Sequence, residues 1–419
     1  MNEKRPHRRI FTSLGPGLVV AAAGIGAGDV VIATVTGARY GTTLLWAIVL
    51  AAALKFLINE NLARWQLVTG TTLIAGWFER LPRIVPLCFG AYLLLWTFLV
   101  GGSLSNACAL AGHSLVPALP AAAWGVIHSL AALGLVWWGR FDVFQKIMKA
   151  LVGAMAITVV ACAVLLRPDW GAVLQGLFVP SLPEGGGRGV LSLFGGIGGS
   201  VTVMCYGYWI RENGWRGHEH LRKTWPDLGL AYGLTALFGI SLSIIASRCS
   251  PDITQGTRMA LDVAAQLETV LGPAGRWAML LGFWCCMFTA MLGVWQGVPY
   301  LFEDFAASWK SRHGNAPSAA PALAKDQVRQ SPAYRAALLY LAIPPLCLLY
   351  FRQPVVVVLA FSIAGAFVMP FLAGTLLYMN NRRDWVGAQR NPWWLNVGLT
   401  TALIVFLYVC YTEVSTILR

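Results

Sequence analysis

Apolar residues come in runs of about twenty along this chain rather than in alternation, which is the pattern of membrane-crossing helices and not of strands. Eleven runs can be marked. Span 1 covers 12–37, span 2 42–69, span 3 84–112, span 4 120–138, span 5 142–166 and span 6 189–211. Span 7 covers 226–248, span 8 271–302, span 9 334–351, span 10 354–380 and span 11 393–416. The polar and charged residues gather in the short stretches between them. The expected fold is an all-α integral membrane protein of eleven transmembrane helices in one domain.

Two of these runs are poor helices in their middles. Span 1 carries Gly24, Gly26 and Gly28 and then Asp29. Each glycine costs a helix about 0.5–1 kcal/mol against alanine. An acid at that depth costs at least about 2.5 kcal/mol on insertion, which makes it a functional candidate by default. The Gly24-Ile25-Gly26 text recurs as Gly196-Ile197-Gly198 in span 6. Glycine-interrupted spans in corresponding places of two halves point to a transporter's binding site, with both spans unwound at mid-membrane. The first half of such a broken helix offers free carbonyls to a cation, and the second half offers N–H groups to an anion. The carbonyls expected are those of Ala22–Ile25, Ala23 included, and of Gly199–Val201.

Composition narrows the class further. Of 419 residues 57% are hydrophobic and 12% charged, against about 25% charged in soluble domains. The net charge of +13 is scattered over short loops, so membrane topology explains it and no nucleic-acid partner is expected. With the N-terminus inside, the inner segments hold 20 Lys and Arg and the outer ones 8. This predicts a multi-pass membrane protein with residues 1–11 cytoplasmic, an odd number of spans and the C-terminus on the opposite face. Segment 306–333, rich in Ala, Pro, Ser and Lys, reads as a mobile cytoplasmic linker. There is no P-loop and no nucleophile with a base at usable spacing, so neither an enzyme nor an ATP-driven pump is expected. The lipid bilayer and a small ion or solute are the expected partners, the chain itself being read as a monomer without a resident cofactor.

Several stretches resemble the natural-resistance-associated macrophage protein (Nramp) family of divalent-metal transporters. They are Gly15-Pro16-Gly17, Leu67-Val68-Thr69-Gly70, Gly176 to Pro183, Thr202-Val203-Met204 and Met379 to Arg383 with Arg390-Asn391-Pro392. The resemblance implies a LeuT-type inverted 5+5 repeat, residues 12–166 and 189–380, with 393–416 as an extra helix. It also implies alternating access around spans 1 and 6, and a transported divalent cation such as Mn, Fe, Mg or Ca. The family's Asp-Pro-Gly-Asn falls on Gly26, Ala27, Gly28 and Asp29, so its acid is glycine here and its amide is acid. Its Met-Pro-His falls on Met204-Cys205-Tyr206, so the thioether stays and the histidine is lost. Residues 98–108 of span 3 carry none of the acids the family uses for protons. These departures imply altered selectivity and no proton coupling of the usual kind.

The candidate substrate or metal residues are therefore Asp29, Gly26, Ala23, Met204, Val201, Thr202, Tyr206 and Gln296. Two readings stand for Asp29, a cap for the second half of span 1 or an anchor for cargo. A carboxylate with carbonyls suits Mg²⁺, Ca²⁺ or Mn²⁺, and a thioether suits later metals. One carboxylate also suits a single organic ammonium, so a small organic solute is the alternative cargo. Glu60 and Arg64 are four apart on one helix face and read as a gating ion pair within reach of Arg211. Cys285-Cys286-Met287, His113 and His128 read as packing or surface groups. Thr289 and Ser362 are weaker pathway candidates.

Overall fold

Every regular element among the described residues is helical in the computed structural model, which describes residues 15–249, 251, 258–313, 325–350 and 354–417. Span 1 is split into α1 (Pro16–Gly24) and α2 (Ala27–Tyr40), whose axes meet at 63°. Then follow α3 (Leu45–Thr69), the short α4 (Leu73–Arg80), α5 (Ile84–Leu115), α6 (Ala121–Trp138), α7 (Phe141–Leu165) and the short α8 (Trp170–Phe178). Span 6 is α9 (Gly186–Gly196), a 3₁₀ turn (Val201–Met204) and α10 (Cys205–Glu212). The rest are α11 (Leu221–Cys249), α12 (Met259–His313), α13 (Lys325–Gln330), α14 (Pro332–Ala342), α15 (Pro354–Met379), α16 (Arg383–Val386) and α17 (Trp393–Ile417).

Among the described residues nine helices are long and apolar enough to cross a bilayer, or ten with the bent α1–α2 pair. The 26-residue α15 fills the remaining place of the expected eleven. Spans 1–5 and 6–10 form two repeats, each opening with a broken span. Five is odd, so the second repeat enters the membrane from the opposite face. The broken spans lie at the centre, with α11 packed on α1, α2 and α3, and α12 on α1, α5 and α7.

The structure corrects two boundaries. Span 8 belongs to a longer element, Met259–His313, bent at Gly272, which has φ +70° and is followed by Pro273. Its inner end runs through part of the segment expected to be a linker. The reason is aromatic: Phe305 and Trp309, one turn apart, pack edge-on against Phe78 of α4, and Arg312 donates to the Phe78 carbonyl. Residues 325–330 of the same segment are helical too, while 314–324 and the expected N-terminal segment 1–11 lie outside the described residues.

Close helix approach depends on missing side chains. A Cβ on Gly37 would stand 2.3 Å from the Ser243 carbonyl oxygen, where α2 and α11 touch and Ser243 donates to Ala33. Gly37→Ala should therefore lower stability by about 1–3 kcal/mol, read as a lower melting temperature in detergent. Gly153→Ala, where a Cβ meets nothing within 4 Å, should leave it level or raised.

Candidate functional site

The two breaks touch one another. Between α1 and α2 the chain is extended at Ile25 (φ −80°, ψ 106°) and Gly26 (φ −139°, ψ −162°). Between α9 and the 3₁₀ turn, Gly198 and Gly199 take φ +87° and +79°, a region in which a side chain costs energy. A Cβ on Gly199 would also meet Thr202 Oγ1 at 2.6 Å and Gly24 Cα at 3.2 Å. The glycines thus serve both the bend and the close crossing of the two spans.

Every backbone polar group at such a crossing needs a partner other than lipid. Asp29 supplies one on each side. Its Oδ2 accepts the Gly26 N–H at 3.0 Å, and its Oδ1 accepts the Gly198 N–H at 2.8 Å. It caps its own helix and ties the opposite break to it. The carbonyls are served by Lys55 of α3, whose Nζ donates to Gly199 O at 2.7 Å and to Gly195 O at 3.3 Å. Lys55 is fully buried and acts electrostatically on Asp29. The Gly199 carbonyl expected to be free for a cation is therefore already held by one. The Ile25 carbonyl is likewise taken, by the Cys286 thiol at 3.6 Å. Lys55 is the residue that sequence reasoning missed. The depth argument that singled out Asp29 applies equally to a lysine in mid-span.

A cavity of about 370 Å³ opens beside the crossing. Its wall is thin because so many of its residues are Gly or Ala, among them Ala23, Gly24, Gly26, Ala27, Gly195 and Gly196. Trp96 of α5 and Phe361 of α15 supply aromatic wall. Asp29, Ser200 and Thr202 contribute polar groups to the lining, and Glu413 of α17 lines the cavity as well. Asp29 and Glu413 are the charged residues in the lining, and both are acids. The lining draws on α2, α9 and the end of α17, so the cavity lies in the half of the protein facing the C-terminal side.

On the α10 side of the crossing, phenols and acids are bonded to one another. Tyr206 donates to Asp227 at 2.9 Å and Tyr208 to Asp304 at 2.6 Å. Tyr300 donates to Glu212 at 2.6 Å and stacks on Tyr208. Arg329 bridges Glu212 at 3.3 Å, and the Gln296 amide oxygen accepts from Trp209 while its backbone carbonyl accepts from Tyr334.

The expected site residues thus divide. Asp29, Gly26, Ala23 and Thr202 line the cavity; Met204, Val201, Tyr206 and Gln296 do not. The 3₁₀ turn Val201–Met204 leaves Thr202 on the cavity but not its neighbours, and Tyr206 and Gln296 have protein partners in Asp227 and Trp209. Glu60 and Arg64 form an ion pair at 2.6 Å. Arg211 is not with them but acts on Asp304 and Glu303, because α10 runs on toward the end of α12. His128 is held between the Trp124 carbonyl and the Trp284 N–H, a core histidine. His113 bonds the Leu119 carbonyl near the surface, and Thr289 bonds back to its own helix. The Ser362 side chain lies outside the described ones. Among the described residues no three His, Cys, Asp or Glu gather where they could hold a metal ion.

Two broken spans crossing in a pair of five-span repeats define a fold of the LeuT-type class. A solved manganese transporter of Eremococcus coleocola superposes with TM-score 0.78 at 16% identity, covering 99% of this chain and 88% of that one. The structure of MhsT in complex with L-phenylalanine gives TM-score 0.63 at 14% identity, over 94% and 97%. The family model described as natural resistance-associated macrophage protein-like matches residues 17–416. The chain belongs to the Nramp family, whose members are transporters and not enzymes. Among curated relatives, the divalent metal cation transporter MntH of Chromohalobacter salexigens is 31% identical over 189 residues, 43% of this chain and 42% of that protein. Natural resistance-associated macrophage protein 1 of Homo sapiens is 27% identical over 250 residues, 57% and 44%. The chain spans less than half the length of the curated relatives it matches.

Removing Asp29 strips the acceptors from two buried N–H groups and the counter-charge from Lys55. Asp29→Ala should cost about 2–5 kcal/mol. Asp29→Asn, which keeps one acceptor oxygen but turns an NH₂ toward the other N–H, should fall between the two. Melting temperatures of the three purified proteins check the order, and an Ala variant as stable as the parent would refute the double cap.

Proposed function

We propose that the chain is a secondary transporter of a bacterial inner membrane, N-terminus cytoplasmic and C-terminus periplasmic, that moves a divalent metal cation by alternating access. The observation that carries the reading is Asp29, set where the two breaks cross and in the lining of a cavity whose charged residues are acids. Carboxylates without a facing cation in the wall favour a positive cargo. Ala23 and Gly24, at the end of α1, line the same cavity, which supports the free-carbonyl reading there. A divalent metal is the cargo for which the relatives are named. Alternating access is supported by the contrast between a hollow half and a half closed by tyrosine–acid bonds. The absence of an acid from residues 98–108 and the tyrosine in place of the family's histidine support transport without the usual proton coupling.

A second reading, a small organic solute, is favoured by the cavity itself. Its volume suits a molecule larger than an ion, its wall is mostly apolar with Trp96 and Phe361, and Asp29 already has two N–H partners. An organic cation would satisfy the acids and the aromatic faces together.

Flux into liposomes separates the two. With a metal-sensitive dye inside, the parent protein should take up Mn²⁺ with saturation, and Asp29→Asn should lower the initial rate by about tenfold or more. Interior pH should stay flat during uptake. Flat dye traces for Mn²⁺, Fe²⁺, Mg²⁺ and Ca²⁺ from a folded protein would transfer the proposal to the organic cargo, and acidification in step with uptake would overturn the uncoupled reading.

A further inference from the structure

Lys55 serves the second break from a helix that is not part of it. A lysine in mid-span is as costly as an acid there, and this one is fully buried. It comes from α3, yet its nitrogen ends among the carbonyls of the α9 terminus, on Gly195 and Gly199. Its stem runs along Gly198, where a Cβ would meet Lys55 Cδ at 3.2 Å. Lys55 is absent from the cavity lining and approaches the crossing from behind. The C-terminal end of a helix carries partial negative charge, and here two of its carbonyls converge on one point beside an acid. That is the donor set of a monovalent cation site.

We propose that the break of span 6 is a monovalent-cation site which the chain fills with its own ammonium, Lys55, and that this tethered cation sets the charge the cavity offers to cargo. Lys55 is a positioning and specificity-determining residue, since it touches the break and not the cavity. Its charge balances Asp29, so a doubly charged cargo meets a weaker net attraction than the acid alone would give. The charge part of the proposal rests on the reading of the cavity as the cargo site; the ammonium site does not.

Chemical rescue tests the site. Lys55→Ala removes three carbons and a nitrogen, the atoms of n-propylammonium. The variant should melt roughly 5–10 °C below the parent, and millimolar n-propylammonium should restore most of the loss. Should the variant be recoverable only from membranes extracted with the amine present, the recovered yield with and without amine is the readout. Lys55→Met, which fills the space without the charge, should melt low and gain nothing from the amine. Restoration by 1-propanol to the same degree, or by neither compound, or an unshifted melting temperature, would overturn the proposal. For the charge, Lys55→Met should bind Mn²⁺ about tenfold or more tightly than the parent in equilibrium dialysis. Equal affinities would overturn the charge-setting role. If no variant binds Mn²⁺, the metal reading of the preceding section fails, and the amine rescue alone decides whether Lys55 occupies a cation site.

Discussion

The structure depends on one carboxylate satisfying two interrupted helices at once. A membrane helix normally serves its own N–H and C=O groups, and lipid offers no substitute where it stops doing so. Both spans that stop do so at the same level, and the N–H groups released at Gly26 and Gly198 converge on Asp29. The carbonyls released on the other side of the second break converge on Lys55. The crossing is thus closed by two opposite charges from α2 and α3, and the Asp29 bonds require both breaks to be in place. The positive φ at Gly198 and Gly199 and the contact of Gly199 with Gly24 follow from this convergence.

Above and below the crossing the protein is built differently. On one side the glycines and alanines of the broken spans leave room, and Trp96 and Phe361 face it from α5 and α15. On the other side phenols meet acids: Tyr206 with Asp227, Tyr208 with Asp304, Tyr300 with Glu212. Such neutral-to-charged bonds are stronger than bonds between neutral groups, and they join α10 to α11 and α12. Opening that half would have to part them together. The two halves therefore differ in the bonds that hold them, and the crossing lies where they meet.

Much of this could be read in the sequence, and what could not has definite causes. The eleven spans were legible because each is a long apolar run. The two breaks were legible because Gly-Ile-Gly recurs and is followed in the first case by an acid. The inner extension of α12 was not, because Phe305 and Trp309 take their meaning from Phe78, more than two hundred residues earlier. The direction of residues 201–206 was not, because a short 3₁₀ turn sets it and composition does not mark such turns. Tyr206 and Gln296 look like pathway residues until their partners Asp227 and Trp209 are seen. Lys55 was visible as a charge in span 2, but its neighbour in sequence, Glu60, belongs to a different pair, with Arg64.

The change at Gly26 gains its meaning from that charge balance. By resemblance an acid stands at this position in the family, and packing does not forbid one here. A Cβ on Gly26 would meet only Ala290 Cβ, at 3.6 Å, and the backbone is extended, with φ −139°. Glycine is therefore not required by space or by strain, as it is at Gly199. What differs is the electrostatic surrounding. Three residues on, Asp29 can turn back to the Gly26 N–H and also reach Gly198, which makes it a structural acid balanced by Lys55. A second carboxylate at Gly26 would find the nearby N–H groups already bonded to Asp29 and the nearby ammonium already bonded to Gly195 and Gly199. In a buried site such a charge is costly unless a ligand brings its own. Glycine at position 26 leaves the crossing with one acid and one ammonium, and a second acid there would have only a bound cation to pair with.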